Sequence, residues 1–169
     1  FLINILQAAF TEIYPDEAYY MLYGKHLSWG YFDHPPMVAL IARISSLIFS
    51  GNLGVRFLTV VFQIATLLIV WLQLDEKHSS KNKVIYFFVI AASLVMFSVY
   101  GFLTAPDASL LFFTALFLYG YKQFINNPNS LFTIILSIAM AGLVYSKYQG
   151  VLVIGLVILS NFRLLANSK

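Results

Sequence analysis

The stretch Val55-Arg56-Phe57-Leu58-Thr59-Val60-Val61-Phe62-Gln63-Ile64-Ala65-Thr66-Leu67-Leu68-Ile69-Val70-Trp71-Leu72-Gln73-Leu74 decides the fold class. Twenty residues with a single charge, near one end, match the roughly 20 residues a helix needs to cross a hydrocarbon core. Working outward, 84–103 and 108–125 read as two further spans, and 131–145 and 151–162 as two shorter ones. One long tilted helix over both of the last runs would leave Lys147 in mid-membrane, which is costly. The whole chain agrees with this reading. Hydrophobic residues make up 60% of 169 and charged residues 10%, against about a quarter in soluble domains, so water-facing surface could not be covered. Mean hydropathy is +0.83. The expected fold is an all-α polytopic membrane helix bundle.

Charge then sets topology. A formal net charge of +3, scattered along the chain, forms no basic stretch interleaved with exposed aromatics and excludes a nucleic-acid interface. With 75–83 on the inside, Lys77, Lys81, Lys83, Lys122, Arg163 and Lys169 fall inside, and Lys25, Arg43, Arg56 and Lys147 outside. Glu12, Asp16, Glu17, Asp33 and Asp107 then share the outer side. There is no cysteine, hence no disulfide, thiolate nucleophile or cysteine metal site. The opening Phe1-Leu2-Ile3-Asn4 shows no cleavable signal, and residues 1–13 read as the end of a truncated first span. The far end, 163–169, follows an apolar run directly, so both ends read as cut from something longer.

Residues 14–50 mix aromatics, charges and prolines where a plain loop would be short and polar. A helix is expected over 16–29, with Pro15 in the first turn, and a second over 37–49, both lying on the membrane as parts of an elaborated outer loop. Asp16-Glu17 after Pro15, and Asp107 after Pro106, each put a carboxylate in the first turn of a helix, where the dipole and free backbone donors favour the ionised form. Ordinary first-turn acids are the plain alternative; against it, acids beside a bilayer are expensive and mark functional sites. Glu17 also reads as a solvated neighbour of the functional acid or as a hydrogen-bond partner to it. Asp33-His34-Pro35-Pro36 reads as a rigid turn in which His34 hydrogen-bonds a phosphate or holds Asp33. Three histidines at 26, 34 and 78 do not make a metal-ligand set. Lys147 either snorkels to the headgroups or binds an anionic group, and Arg43 and Arg56 read as interfacial anchors.

Three segments, Tyr14-Pro15-Asp16-Glu17-Ala18-Tyr19-Tyr20, Trp29-Gly30-Tyr31-Phe32-Asp33-His34-Pro35-Pro36-Met37 and Ala105-Pro106-Asp107-Ala108-Ser109-Leu110-Leu111-Phe112-Phe113, carry a resemblance. In order and spacing they resemble bacterial protein mannosyltransferase-like glycosyltransferases (family 39), related to aminoarabinose transferases and Rgt-type transferases, all of GT-C fold. The resemblance spans nearly the whole chain. It implies transfer of a sugar from a polyprenyl-phosphate-linked donor to a lipid, glycan or protein acceptor hydroxyl, at the outer face of a bacterial inner membrane. It further implies Asp16 as catalytic base with Glu17 beside it, Asp107 as a second catalytic acid, and Asp33, His34 and Lys147 toward the lipid phosphate. His34 departs from the Lys of aminoarabinose transferases. No cofactor is specified, and a divalent metal stays open. Relatives run to many more spans, so this stretch alone is expected to be inactive. Two other classes compete: a transporter or channel subunit, which would carry its ionisable residues in mid-span or at broken helices, and a non-catalytic assembly subunit, which needs no acid pair.

Overall fold

The computed structural model describes residues 2–74, 81–98 and 100–162. Residues 75–80, with Lys77 of the inside set, and 163–169, with Arg163 and Lys169, lie outside the described residues. The described chain is helical throughout: α1 Leu2–Phe10, α2 Pro15–Lys25, α3 Met37–Ile48, α4 Gly51–Gln73, α5 Lys81–Ser93, α6 Val95–Ser98, α7 Pro106–Asn126, α8 Ser130–Ser146 and α9 Gly150–Ser160. It contains no strand among the described residues.

Helix starts follow local chemistry. Pro15 and Pro106 open α2 and α7, where a missing N–H leaves no bond unmade. Asn129 caps α8 by accepting from the Phe132 N–H at 3.0 Å. Gly51 turns α3 into α4 at φ +66°, a backbone region that disfavours any residue with a Cβ.

Two helices, α4 at 23 residues and α7 at 21, are long and apolar enough to cross a bilayer. They run parallel. At one end Lys122 donates to the Gln73 carbonyl at 3.1 Å; the other end carries the residues singled out above. Helix α8 packs antiparallel on α7 around Phe113, Phe117, Ala139 and Leu143, with Phe62 of α4 against them. Helix α1 lies on α4 around Ala8 and Val60, and α3 bridges α2 to α4. Outward faces stay apolar: Leu68 and Leu72 on α4, Phe88 on α5, Ile134 on α8 and Leu156 on α9 are exposed. An exterior of that kind suits lipid. The architecture is the all-α polytopic membrane bundle expected from the sequence.

Two boundaries differ from the sequence reading. Helix α2 stops at Lys25, short of Trp29, because the Tyr31 hydroxyl folds back over its end, 3.0 Å from the Tyr23 carbonyl oxygen and 3.1 Å from that of His26. The apolar run 84–103 is not one helix. It breaks at Leu94, where Ser93 Oγ bonds back to the Ile90 carbonyl at 2.7 Å and the Leu94 N–H is split between Ile90 and Ala91. Such serine back-bonding bends helices.

Candidate active site

The upper end of the bundle is organised by one buried ion pair. Glu17 is 1% and Arg56 0% exposed. Arg56 donates from Nε to Glu17 Oε1 at 2.8 Å and from Nη2 to Oε2 at 2.5 Å, the bidentate fork that matches a carboxylate. Its remaining N–H groups reach the carbonyls of Ala8 at 3.2 Å, Thr11 at 2.8 Å and Glu12 at 2.7 Å. All five guanidinium donors are therefore used, and the Phe102 ring lies 5.2 Å below the cation. Glu17 also accepts from the backbone N–H of Tyr14 at 3.1 Å and of Thr104 at 2.9 Å. The second of these bonds ties the start of α2 to the turn that opens α7, across 87 residues of sequence. Thr104 is held in addition by Thr59, hydroxyl to hydroxyl at 3.0 Å, and by the Val55 carbonyl at 2.9 Å.

This clamp was not visible in the sequence, where Arg56 read as an interfacial anchor. A usable signal existed: an arginine inside an otherwise apolar span needs an acid, and Glu17, which read in part as a solvated neighbour of Asp16, is instead buried as that acid.

Around the clamp stand the acids. Asp16, beside Glu17, is exposed, and no hydrogen bond or ion pair engages it among the described residues. Asp107, in the first turn of α7, is met by Lys147 at 2.8 Å, with the lysine side chain 27% and the aspartate 41% exposed. Lys147 sits in the break between α8 and α9, so the antiparallel return of α8 brings it over the start of α7.

A tyrosine cluster covers the remaining side. Tyr23 donates to Asp33 Oδ1 at 2.9 Å, Tyr19 reaches the same oxygen at 3.4 Å, and the two tyrosine hydroxyls contact one another. Tyr31 stacks on Tyr23 with ring centroids 3.8 Å apart. His34 Nε2 lies 3.3 Å from the Tyr20 hydroxyl and 3.7 Å from Asp33 Oδ2. Burial pushes the Tyr20 phenol up to about 12, reinforced by the negative charges of Asp16, Asp33 and Asp107. These three carboxylates thus act on one buried phenol. The Tyr23 phenol is raised as well, first by burial and then by its bonds to Tyr19 and Asp33. For Asp33, burial works upward but is outweighed by the Tyr23 bond, backbone hydrogen bonding and His34, so its carboxyl falls below the usual 3.8.

Two hollows open here. One of about 340 Å³ is lined by Gln63, Tyr100, Leu103, Ala105, Asp107 and Ala108. The other, about 370 Å³ and almost wholly apolar, lies between Leu27, Trp29, Met37, Leu40 and Tyr145. No cluster of three or more metal-ligating side chains occurs among the described residues. Of the residues singled out from sequence, the structure joins Asp107 to Lys147 and Asp33 to His34, and it brings Asp16, Asp33 and Asp107 into electrostatic reach of Tyr20. Glu17 it commits to the clamp.

Apolar helices that carry acids and one lysine at a shared end define an integral membrane protein with a polar site at the bundle's rim. The chain belongs to the dolichyl-phosphate-mannose-protein mannosyltransferase family, whose sequence profile matches residues 33–169. It is accordingly a membrane glycosyltransferase of the GT-C type, from a family that uses lipid-linked sugar donors. The matched stretch includes Asp33, His34, Arg56, Asp107 and Lys147, while Asp16 and Glu17 precede it. No curated protein and no solved structure matches the chain.

Proposed function

We propose that this chain forms the catalytic rim of an enzyme that moves a sugar from a polyprenyl-phosphate carrier to an acceptor hydroxyl at the outer face of a bacterial inner membrane. Asp16 is the general base. Its carboxylate takes the acceptor's proton as the acceptor oxygen bonds to the anomeric carbon; the bond from that carbon to the phosphate oxygen breaks, and polyprenyl phosphate leaves with inversion. Asp16 suits this task because it is exposed and unengaged, whereas Glu17, saturated by four donors, serves to fix the backbone beneath it. Lys147 spends one N–H on Asp107 and keeps two for a phosphate, offsetting charge that grows on the leaving group. His34, within reach of Tyr20 and Asp33, contributes a further hydrogen bond to the phosphate. Asp107 orients a donor or acceptor hydroxyl.

The observation that carries this reading is the Glu17 bond to Thr104, which ties the start of the Asp16 helix to the turn preceding Asp107. Two acids of one mechanism need such a tie; two unrelated helix-start acids do not. The test is transfer by the full-length protein in native membranes supplied with labelled polyprenyl-phosphate sugars. Asp16→Asn is expected to abolish transfer with folding retained, since the amide keeps the shape but cannot accept the proton, and Asp107→Asn to reduce it less. Full transfer by Asp16→Asn would overturn the assignment and favour an assembly subunit.

A further inference from the structure

The buried face of α4 carries a row of polar side chains, Arg56, Thr59, Gln63 and Thr66, between 0% and 3% exposed. Polar residues inside membrane bundles ordinarily hold helices together, and three of the four do so or satisfy themselves locally. Arg56 has its five acceptors, Thr59 bonds Thr104 at 3.0 Å, and Thr66 returns its proton to the Phe62 carbonyl at 2.7 Å. Further down, Gln73 donates to the Ala115 carbonyl at 3.1 Å. Gln63 differs. Its carboxamide makes no hydrogen bond among the described residues, and its oxygen is buried without a partner.

An unpaired buried amide joins nothing and carries a desolvation cost. A bundle keeps such a group where something else pairs with it. Gln63 lines the 340 Å³ hollow whose rim holds Asp107, with Tyr100 on another wall. Its neighbours there, Leu103, Ala105 and Ala108, present carbon. A hollow with a carboxamide, a carboxylate and a phenol set among apolar surface suits a ring that carries hydroxyls on carbon. A phosphate offers mainly acceptors, which neither the Asp107 carboxylate nor the unpaired Gln63 oxygen can satisfy; a hydroxyl can both donate to and accept from an amide. The volume lies at the low end of the roughly 300–1,000 Å³ of small-molecule sites, enough for a single sugar ring.

We propose that Gln63 is a specificity-determining residue that hydrogen-bonds one hydroxyl of the transferred sugar, with Asp107 on a second. The proposal rests on the glycosyltransferase reading above and adds the part of the donor this hollow holds. The chemistry predicts a split that mere packing would not give. Removing the carboxamide relieves a buried unpaired group in the empty protein, and it removes a bond only when sugar is present.

Native membranes carrying the full-length protein would be supplied with labelled polyprenyl-phosphate mannose and with its 2-, 3-, 4- and 6-deoxy forms, and transfer measured for wild type and Gln63→Leu. Gln63→Met, closer in shape, repeats each measurement as a check on packing. The expected result is a loss of about ten- to hundredfold in kcat/KM on the parent donor. The loss should disappear on the one deoxy donor that lacks the hydroxyl Gln63 reads, and the unfolding temperature of the purified variant should stay level or rise. Equal losses on every donor with a lowered unfolding temperature in both variants would overturn the proposal in favour of a packing role, as would unchanged transfer on all donors. If the wild-type protein transfers from no polyprenyl-phosphate sugar at all, the lipid-linked donor reading itself fails, a result distinct from an active wild type matched by its Gln63 variants.

Discussion

Replacing Glu17 by Ala should be among the most damaging single changes at this end of the protein. The substitution leaves a fully buried guanidinium without its counter-charge and strips acceptors from four donors at once: Arg56 Nε and Nη2, and the backbone N–H groups of Tyr14 and Thr104. Removing one member of a buried pair costs about 3–5 kcal/mol. That range applies here undiscounted, because neither side chain is more than 2% exposed. The reverse change, Arg56→Met, leaves a buried carboxylate that still holds two backbone donors, strips the Ala8 and Glu12 carbonyls of the arginine while that of Thr11 keeps its bond from Asn52, and should fall in the same range. The decisive measurement is a double-mutant cycle in reversible unfolding of the full-length protein in mixed micelles. Glu17→Ala with Arg56→Met should recover at least about 2 kcal/mol of the summed single losses, since the pair of apolar residues removes both uncompensated charges. If Glu17→Ala costs under 1 kcal/mol, or if the two losses simply add, the clamp is not the organising contact described above.

The Asp107–Lys147 pair should behave in the opposite way. With side chains 41% and 27% exposed, it is screened, so Lys147→Met should change stability by less than about 1 kcal/mol, while transfer in the membrane assay falls at least about tenfold as the leaving phosphate loses its cation. Asp33 gives a pH prediction. Its folded carboxyl titrates below the ordinary 3.8, so the stability it lends is present above that value and is lost as pH falls through the lower folded one. Tyr23→Phe removes the main lowering contact and should move the Asp33 carboxyl stretch, followed by infrared difference spectroscopy, toward higher pH; no movement would show that the Tyr23 bond does not hold Asp33 ionised.

Much of the bundle could be read from hydropathy because lipid demands it: a helix such as α4 must be apolar over its whole length, and that leaves a mark on consecutive residues. The break at Leu94 left none. Ser93 is one hydroxyl in an apolar run, and its bond to Ile90 depends on a rotamer rather than on a breaker residue. The acids at 16, 33 and 107 and the lysine at 147 were legible for a similar reason, being polar groups at positions where a bilayer makes polarity expensive. Pairings were not. Arg56 and Glu17 are 39 residues apart, and only the packing of α1 on α4 and of α2 on α3, which itself lies on α4, says which acid meets which cation. Gln63 passed as one polar residue in a span, because an amide that is satisfied and one that is not look the same in a sequence.

The clamp also has a direction in time. Ala8, Thr11, Glu12 and Glu17, which between them supply every acceptor Arg56 uses, all precede it in the chain and leave the ribosome first. Of the later residues, Thr104 brings a donor to Glu17 and leaves the arginine untouched, and Phe102 offers the cation only a ring face. The one strong cation in α4 is therefore delivered into the bilayer after the groups that neutralise it, and the helix can be accepted by the membrane before α7 exists.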